Sequence, residues 1–144
     1  MTISREVNQN YGEIIACSVT GKLNAYSGGI ANSNYGRIIA CWFDGTLKEY
    51  ESGAIVRYNY AYITSCYWGG NAGQGVFRNY GGTDATKVDG SVVTWQKAVD
   101  AMNTALQNAG SEWHYELTGA LPTLRKQKTV GREKSRPQRA LTEV

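Results

Sequence analysis

With 144 residues, 42% of them hydrophobic, the chain is long enough for one domain with a buried core and short for two. Its 17 glycines, 10 tyrosines and 4 tryptophans against 2 phenylalanines and 2 prolines favour many short strands and tight turns over a helical bundle. The net charge of +3 is unevenly placed: residues 1–124 carry 8 Lys/Arg and 10 Asp/Glu, residues 125–144 carry 7 and 2, so the body is not a basic nucleic-acid binder.

At the start, Met1-Thr2-Ile3-Ser4-Arg5-Glu6 has no charged-then-apolar signal pattern, and no segment approaches the roughly 18 apolar residues of a membrane span. A repeat begins almost at once. Asn10-Tyr11-Gly12-Glu13-Ile14-Ile15-Ala16-Cys17 recurs as Asn34-Tyr35-Gly36-Arg37-Ile38-Ile39-Ala40-Cys41, and again as Asn59-Tyr60-Ala61-Tyr62-Ile63-Thr64-Ser65-Cys66. The steps are 24 and 25 residues, and residues 7–30 laid over 31–54 give 12 identities in 24. The extra residue falls between Tyr50 and Ile55, in a turn, where length is absorbed without disturbing strands. Because the repeat starts within a few residues of Met1, further coils and any signal peptide are expected upstream of this chain.

A period in the twenties with apolar runs of two to four residues is too short for a helix pair and suits one coil of a parallel β-solenoid, stacked at roughly 4.8 Å per coil. The expected fold is therefore mainly β: a right-handed parallel β-helix of three to four 24–25-residue coils. Equivalent residues then form columns, with Ile14, Ile38 and Ile63 in the core, Asn10, Asn34 and Asn59 hydrogen-bonded at a corner, and Cys17, Cys41 and Cys66 as buried thiols. Strict alternation would put Ile14 and Cys17 on opposite faces, so a bend near Ala16 is expected to turn both inward, with Ile15, Ile39 and Thr64 outward. The array fades after the glycine-rich Gly69–Gly75, with a weak fourth copy at Gly75-Val76-Phe77-Arg78-Asn79-Tyr80-Gly81.

Beyond the repeats, Trp95, Val99, Met102 and Leu106 fall on one helical face between an N-cap Thr94 and a C′ Gly110. Trp113, Tyr115 and Leu117 then alternate with polar residues as a half-buried strand, and Pro122 is expected to end the ordered part. An open solenoid end needs covering, so this helix and strand are read as a C-terminal cap over 83–124, following solenoid repeats over 1–82 and preceding a basic disordered tail over 125–144.

The chemistry these residues can support is limited. The cysteines follow the repeat period and no Cys-x-x-Cys pattern, so no metal site is expected, and His114 is the single histidine. Asp44, Glu49, Glu51 and Asp84 are the carboxylates a glycan hydrolase would need, but Asp44 aligns with Thr20 and Gly69 and forms no acidic column. Gly69–Gly75 lacks the Gly-Lys-Ser/Thr of a phosphate loop, so neither nucleotide nor other cofactor is expected. The aromatic columns carry the binding potential: Tyr35, Tyr60, Trp42, Tyr67 and Trp68 are the candidate ligand contacts.

The run Gly29-Ile30-Ala31-Asn32-Ser33-Asn34-Tyr35-Gly36-Arg37-Ile38, followed by Cys41-Trp42-Phe43-Asp44-Gly45, resembles the GLUG repeat of large bacterial surface proteins and adhesins, Bacteroides-type proteins among them. Ala54-Ile55-Val56-Arg57-Tyr58-Asn59-Tyr60-Ala61-Tyr62-Ile63, then Cys66-Tyr67-Trp68-Gly69, is the second match, and the resemblance covers about residues 5–82. It implies a secreted or cell-surface β-solenoid with no catalytic residues, serving a structural or adhesive role toward a glycan or a surface protein. The alternative expectation is a carbohydrate-binding or carbohydrate-active β-helix that uses exposed aromatics.

Overall fold

A computed structural model describes residues 7–127. Three strands build the first coil, β1 (Val7–Asn10), β2 (Glu13–Ile15) and β3 (Ser18–Leu23), and three the second, β4 (Ala31–Asn34), β5 (Arg37–Ile39) and β6 (Trp42–Leu47). The third coil has β7 (Val56–Asn59) and a long β8 (Tyr62–Gly70), the fourth β9 (Val76–Asn79) and β10 (Gly82–Lys87). All pair in parallel, as a four-stranded sheet β1-β4-β7-β9 and a six-stranded sheet in which β8 pairs with β5, β6 and β10. The chain is thus a mainly β solenoid of parallel sheets, followed by helix α1 (Trp95–Asn108) and the antiparallel hairpin β11 (Trp113–Glu116) and β12 (Thr123–Lys126).

The repeat is the register. Ile14 pairs with Ile38 and Ile38 with Ile63, Asn10 with Asn34 and Asn34 with Asn59, at the steps of 24 and 25 residues. Asn59 pairs with Asn79, so the weak fourth copy is a coil shortened by a β-bulge between Thr83 and Ala85.

The bend near Ala16 has a specific form. Ala16, Ala40 and Ser65 occupy the left-handed region at φ 57°, 53° and 49°, a conformation costing an L-residue about 1 kcal/mol or more. Each such residue breaks the two-residue alternation, so Ile14 and Cys17 both enter the interior and Ile15 with Ala16 turns outward. Interior columns hold Ile14, Ile38 and Ile63, the three cysteines, and Val19, Phe43 and Trp68. The widening from Val to Phe to Trp explains the glycine-rich stretch. A Cβ on Gly75 would lie 2.6 Å from the Trp68 ring, and the Trp68 indole Nε1–H donates to the Ala72 carbonyl at 2.9 Å.

Helix α1 begins where the sequence indicates, with the Thr94 hydroxyl accepting the Lys97 N–H and Gly110 left-handed just past the end. What it covers is the flank of the solenoid. Ala98, Val99, Met102, Ala105 and Leu106 pack on Ala16, Ile39, Ala40 and Trp42, the outward column that the left-handed corners create. This is a second apolar core outside the coils, and it accounts for three bulky or apolar residues standing on an outer face. The hairpin completes it: Tyr115 is buried and donates its hydroxyl to the Ala40 carbonyl at 2.7 Å. Trp113, expected on the buried side of that strand, is exposed, and β12 continues the ordered chain past Pro122 through Lys126, where a disordered tail was expected from residue 125. Residues 128–144 of the basic tail lie outside the described residues.

Candidate contact surface

The surface feature with the most regular geometry begins at the asparagine corner. Asn34 is fully buried: its Nδ2 donates to the Gly36 carbonyl, to Asn59 Oδ1 at 2.9 Å and to the Tyr62 carbonyl, while its Oδ1 accepts the Gly36 N–H and Asn10 Nδ2. Asn10 and Asn59 repeat the arrangement, and Asn79 accepts from Asn59 at 2.8 Å. A side-chain amide thus closes each turn and binds the next coil, leaving few polar groups unpaired at a corner where the strand ladder is interrupted. Where Ala61 replaces glycine, the Tyr62 N–H to Gly36 carbonyl bond is 3.1 Å, against 2.9 Å and 2.8 Å at the two glycine corners.

Because every turn has the same shape, the residue after each asparagine leaves it in the same direction. Tyr11, Tyr35, Tyr60 and Tyr80 form a stack with ring centroids 5.0, 4.8 and 5.2 Å apart and planes within 10° of parallel. The inner rings Tyr35 and Tyr60 are 42% and 44% exposed, the outer rings Tyr11 and Tyr80 71% and 63%. Neighbouring rings cover the faces of the inner pair, so what these present to solvent is a row of ring edges and hydroxyls. Crowding desolvates the Tyr60 phenol and holds it above its ordinary range, with Tyr35 and Tyr80 adding to the effect. A second exposed column, Tyr26 and Tyr50, meets edge to face at 5.2 Å, and Arg57 lies over the Tyr26 and Tyr58 rings while hydrogen-bonded to Glu51.

The other candidate aromatics are placed differently. Trp42 is 4% exposed, edge-on to Trp95 at 5.4 Å beneath the helix, and Trp68 is 6% exposed in the interior. Neither can offer a ring to a ligand, because the outer flank is covered and the Phe43–Trp68 column faces inward. Tyr67 is half-buried against the same helix-covered cluster. Of the five residues, Tyr35 and Tyr60 stand on an open surface. The sequence analysis left out Tyr80, whose place in the stack follows from Asn79-Tyr80-Gly81 once the shortened fourth coil is paired.

The remaining reactive side chains are tied into the fold. The Cys41 thiol donates to the Ile39 carbonyl at 3.4 Å, the Cys17 N–H donates to Cys41 Sγ, and burial raises the Cys41 thiol well above its ordinary range. All three cysteines are free thiols. Glu51 pairs with Arg57, Asp84 accepts the Ser65 N–H at 3.0 Å, and Glu49 accepts the Gly73 N–H. Asp44 is half-buried and desolvation raises its carboxyl, while His114 bonds Glu116 on the hairpin at 3.2 Å. No group of three or more metal-ligating side chains occurs among the described residues. An open cleft of about 270 Å3 runs between α1 and the sheet, lined by Arg37, Thr64, Ser65, Thr104 and Asn108 among others.

No family model, curated protein or solved structure matches the chain.

Proposed function

We propose that the chain is a non-catalytic structural or adhesive module of a bacterial cell-surface or secreted protein, with the tyrosine ladder as its contact surface. The single observation that carries this reading is the parallel, exposed stack Tyr11-Tyr35-Tyr60-Tyr80 on a rigid corner. Four hydroxyls held about 5 Å apart on packed rings form a pre-organised row, with little side-chain entropy left to lose on binding. Such a row suits an extended partner with repeating hydrogen-bonding groups, a glycan chain or the surface of another protein. Inner ring faces are covered, so contact runs through edges and hydroxyls, and flat stacking on a sugar ring is confined to the two end tyrosines. The likeness of the repeats to GLUG sequences supports a cell-surface setting and places no demand on catalysis.

The test is a screen against arrayed glycans and immobilised surface proteins with the wild type and a Tyr35→Ala/Tyr60→Ala variant, each checked for folding by far-UV circular dichroism. Saturable binding that disappears in the variant is the expected result. Binding retained by the folded variant would remove the ladder as the contact surface, and release of reducing ends from any glycan would sink the non-catalytic reading.

A further inference from the structure

Glycine at the asparagine corner answers to the preceding coil. A Cβ on Gly36 would lie 2.1 Å from the Gly12 carbonyl oxygen, and one on Gly81 would lie 2.2 Å from the Ala61 carbonyl oxygen, both far inside contact distance. Gly12 holds the equivalent place in coil one, yet no described atom lies within 4 Å of where its Cβ would be, and its φ is not left-handed. Among the described residues nothing in coil one requires a glycine there. A coil stacked on its open edge would.

The two ends of the ladder are complementary. Asn34 and Asn59 each accept an amide proton from the preceding asparagine as well as a backbone N–H, whereas among the described residues Asn10 Oδ1 accepts the Gly12 N–H alone. At the other end Asn79 Nδ2 donates to the Gly81 carbonyl, where Asn10, Asn34 and Asn59 also donate to the next coil. One end therefore carries a spare acceptor and the other a spare donor. The greater exposure of Tyr11 and Tyr80 over the inner rings leaves one ring face open at each end. Both corners read Asn-Tyr-Gly, and half-buried Val7 and Val76 lie at the rims of the same interior.

We infer that the open edge of coil one is a docking surface for coil four of a second copy of this chain. In that register β1 of one copy extends β9 of the other. Asn79 Nδ2 donates to the second copy's Asn10 Oδ1, Tyr80 stacks on Tyr11, and the Gly81 carbonyl occupies the space a side chain at residue 12 would take. The contact joins two different surfaces, so it does not close on itself, and copies add in an open linear series. This goes beyond the adhesive reading and does not depend on it: a linear array would repeat the tyrosine row along its length whatever the row contacts.

Sedimentation equilibrium of the purified chain over a wide concentration range tests the inference. The expected average mass rises about two-fold or more with concentration, as head-to-tail addition requires. Gly12→Ala adds a methyl that meets no described atom of its own chain but blocks an incoming Gly81 carbonyl, so it should stay at monomer mass with an unchanged circular dichroism spectrum. Its coil four is intact, and in excess over wild type it should terminate growth and lower the average mass. Tyr80→Glu, at an exposed ring on the opposite end, blocks the same contact independently and keeps the test decisive if Gly12→Ala fails to fold. A wild type that remains monomeric throughout, or association that persists in either folded variant, overturns the inference.

Discussion

Each coil turns twice around the β2, β5 and β8 segment, and the two turns solve the same problem in different ways. At the asparagine corner a side-chain amide supplies the hydrogen bonds the bend removes, and the corner stays exposed with its tyrosines in solvent. At the left-handed corner of Ala16, Ala40 and Ser65, backbone strain reverses the alternation and turns apolar residues outward, so this corner must be covered. The first is complete within the repeat; the second depends on a helix and hairpin more than thirty residues away. Polar closure can be built locally, whereas hydrophobic closure has to recruit another part of the chain.

Changes at either corner would break or sharpen this comparison. Asn34→Leu has the largest expected effect: it strands buried donors and acceptors in three coils and should cost about 4 kcal/mol or unfold the protein, as read by urea denaturation. Met102→Ala, at the centre of the helix contact, should cost about 3 kcal/mol. Hydrogen exchange should then quicken in α1 and the hairpin while coil amides stay protected. Equal acceleration throughout would mean that the flank and the coils form one cooperative unit.

Alkaline pH probes both regions together. Cys41 and Tyr115 are held well above their ordinary pKa by burial, so the folded state keeps their protons while the unfolded chain releases them. Below the unfolded pKa values both states are protonated and these groups give no pH dependence. Above about pH 8.5 for the thiol and about pH 10 for the phenol, stability should fall by roughly 1 kcal/mol per pH unit per group. A denaturation midpoint that stays level from pH 7 to 10.5 would contradict this. Tyr115→Phe removes the hydrogen bond to the Ala40 carbonyl and should cost about 1 kcal/mol, with the loss seen in the same denaturation experiment. The smallest effect is expected at the exposed corner: Tyr60→Ala should lower stability by about 0.5–1 kcal/mol, the worth of its ring contacts, because no backbone bond depends on it.

Much of this architecture was legible before any coordinates. The recurrence of Asn-Tyr-Gly, Ile and Cys gave the coil period, the columns and the stacked tyrosines, since in a parallel solenoid equal sequence spacing becomes spatial adjacency. Placing Tyr80 needed the shortened fourth coil, because steps of 20 and 19 residues hide its alignment. Trp42 and Trp68 are adjacent columns on opposite faces, and composition alone made both look like exposed contacts. Which face each took depended on the left-handed residue just before, and the φ of an alanine leaves no mark in its identity.

The sequence by itself determined the local and repetitive features: where strands lie, how coils register, which amides close the asparagine corner, and where α1 begins and ends. Those follow from nearest-neighbour hydrogen bonding and periodic apolar patterning, which any one repeat already contains. Tertiary structure alone decided that α1 lies along the flank and that Tyr115 reaches Ala40. It also decided that Pro122 is followed by a further strand and that the inner tyrosines show edges instead of faces. These depend on which apolar surface remains uncovered after the coils have stacked, and that is a property of the assembled chain.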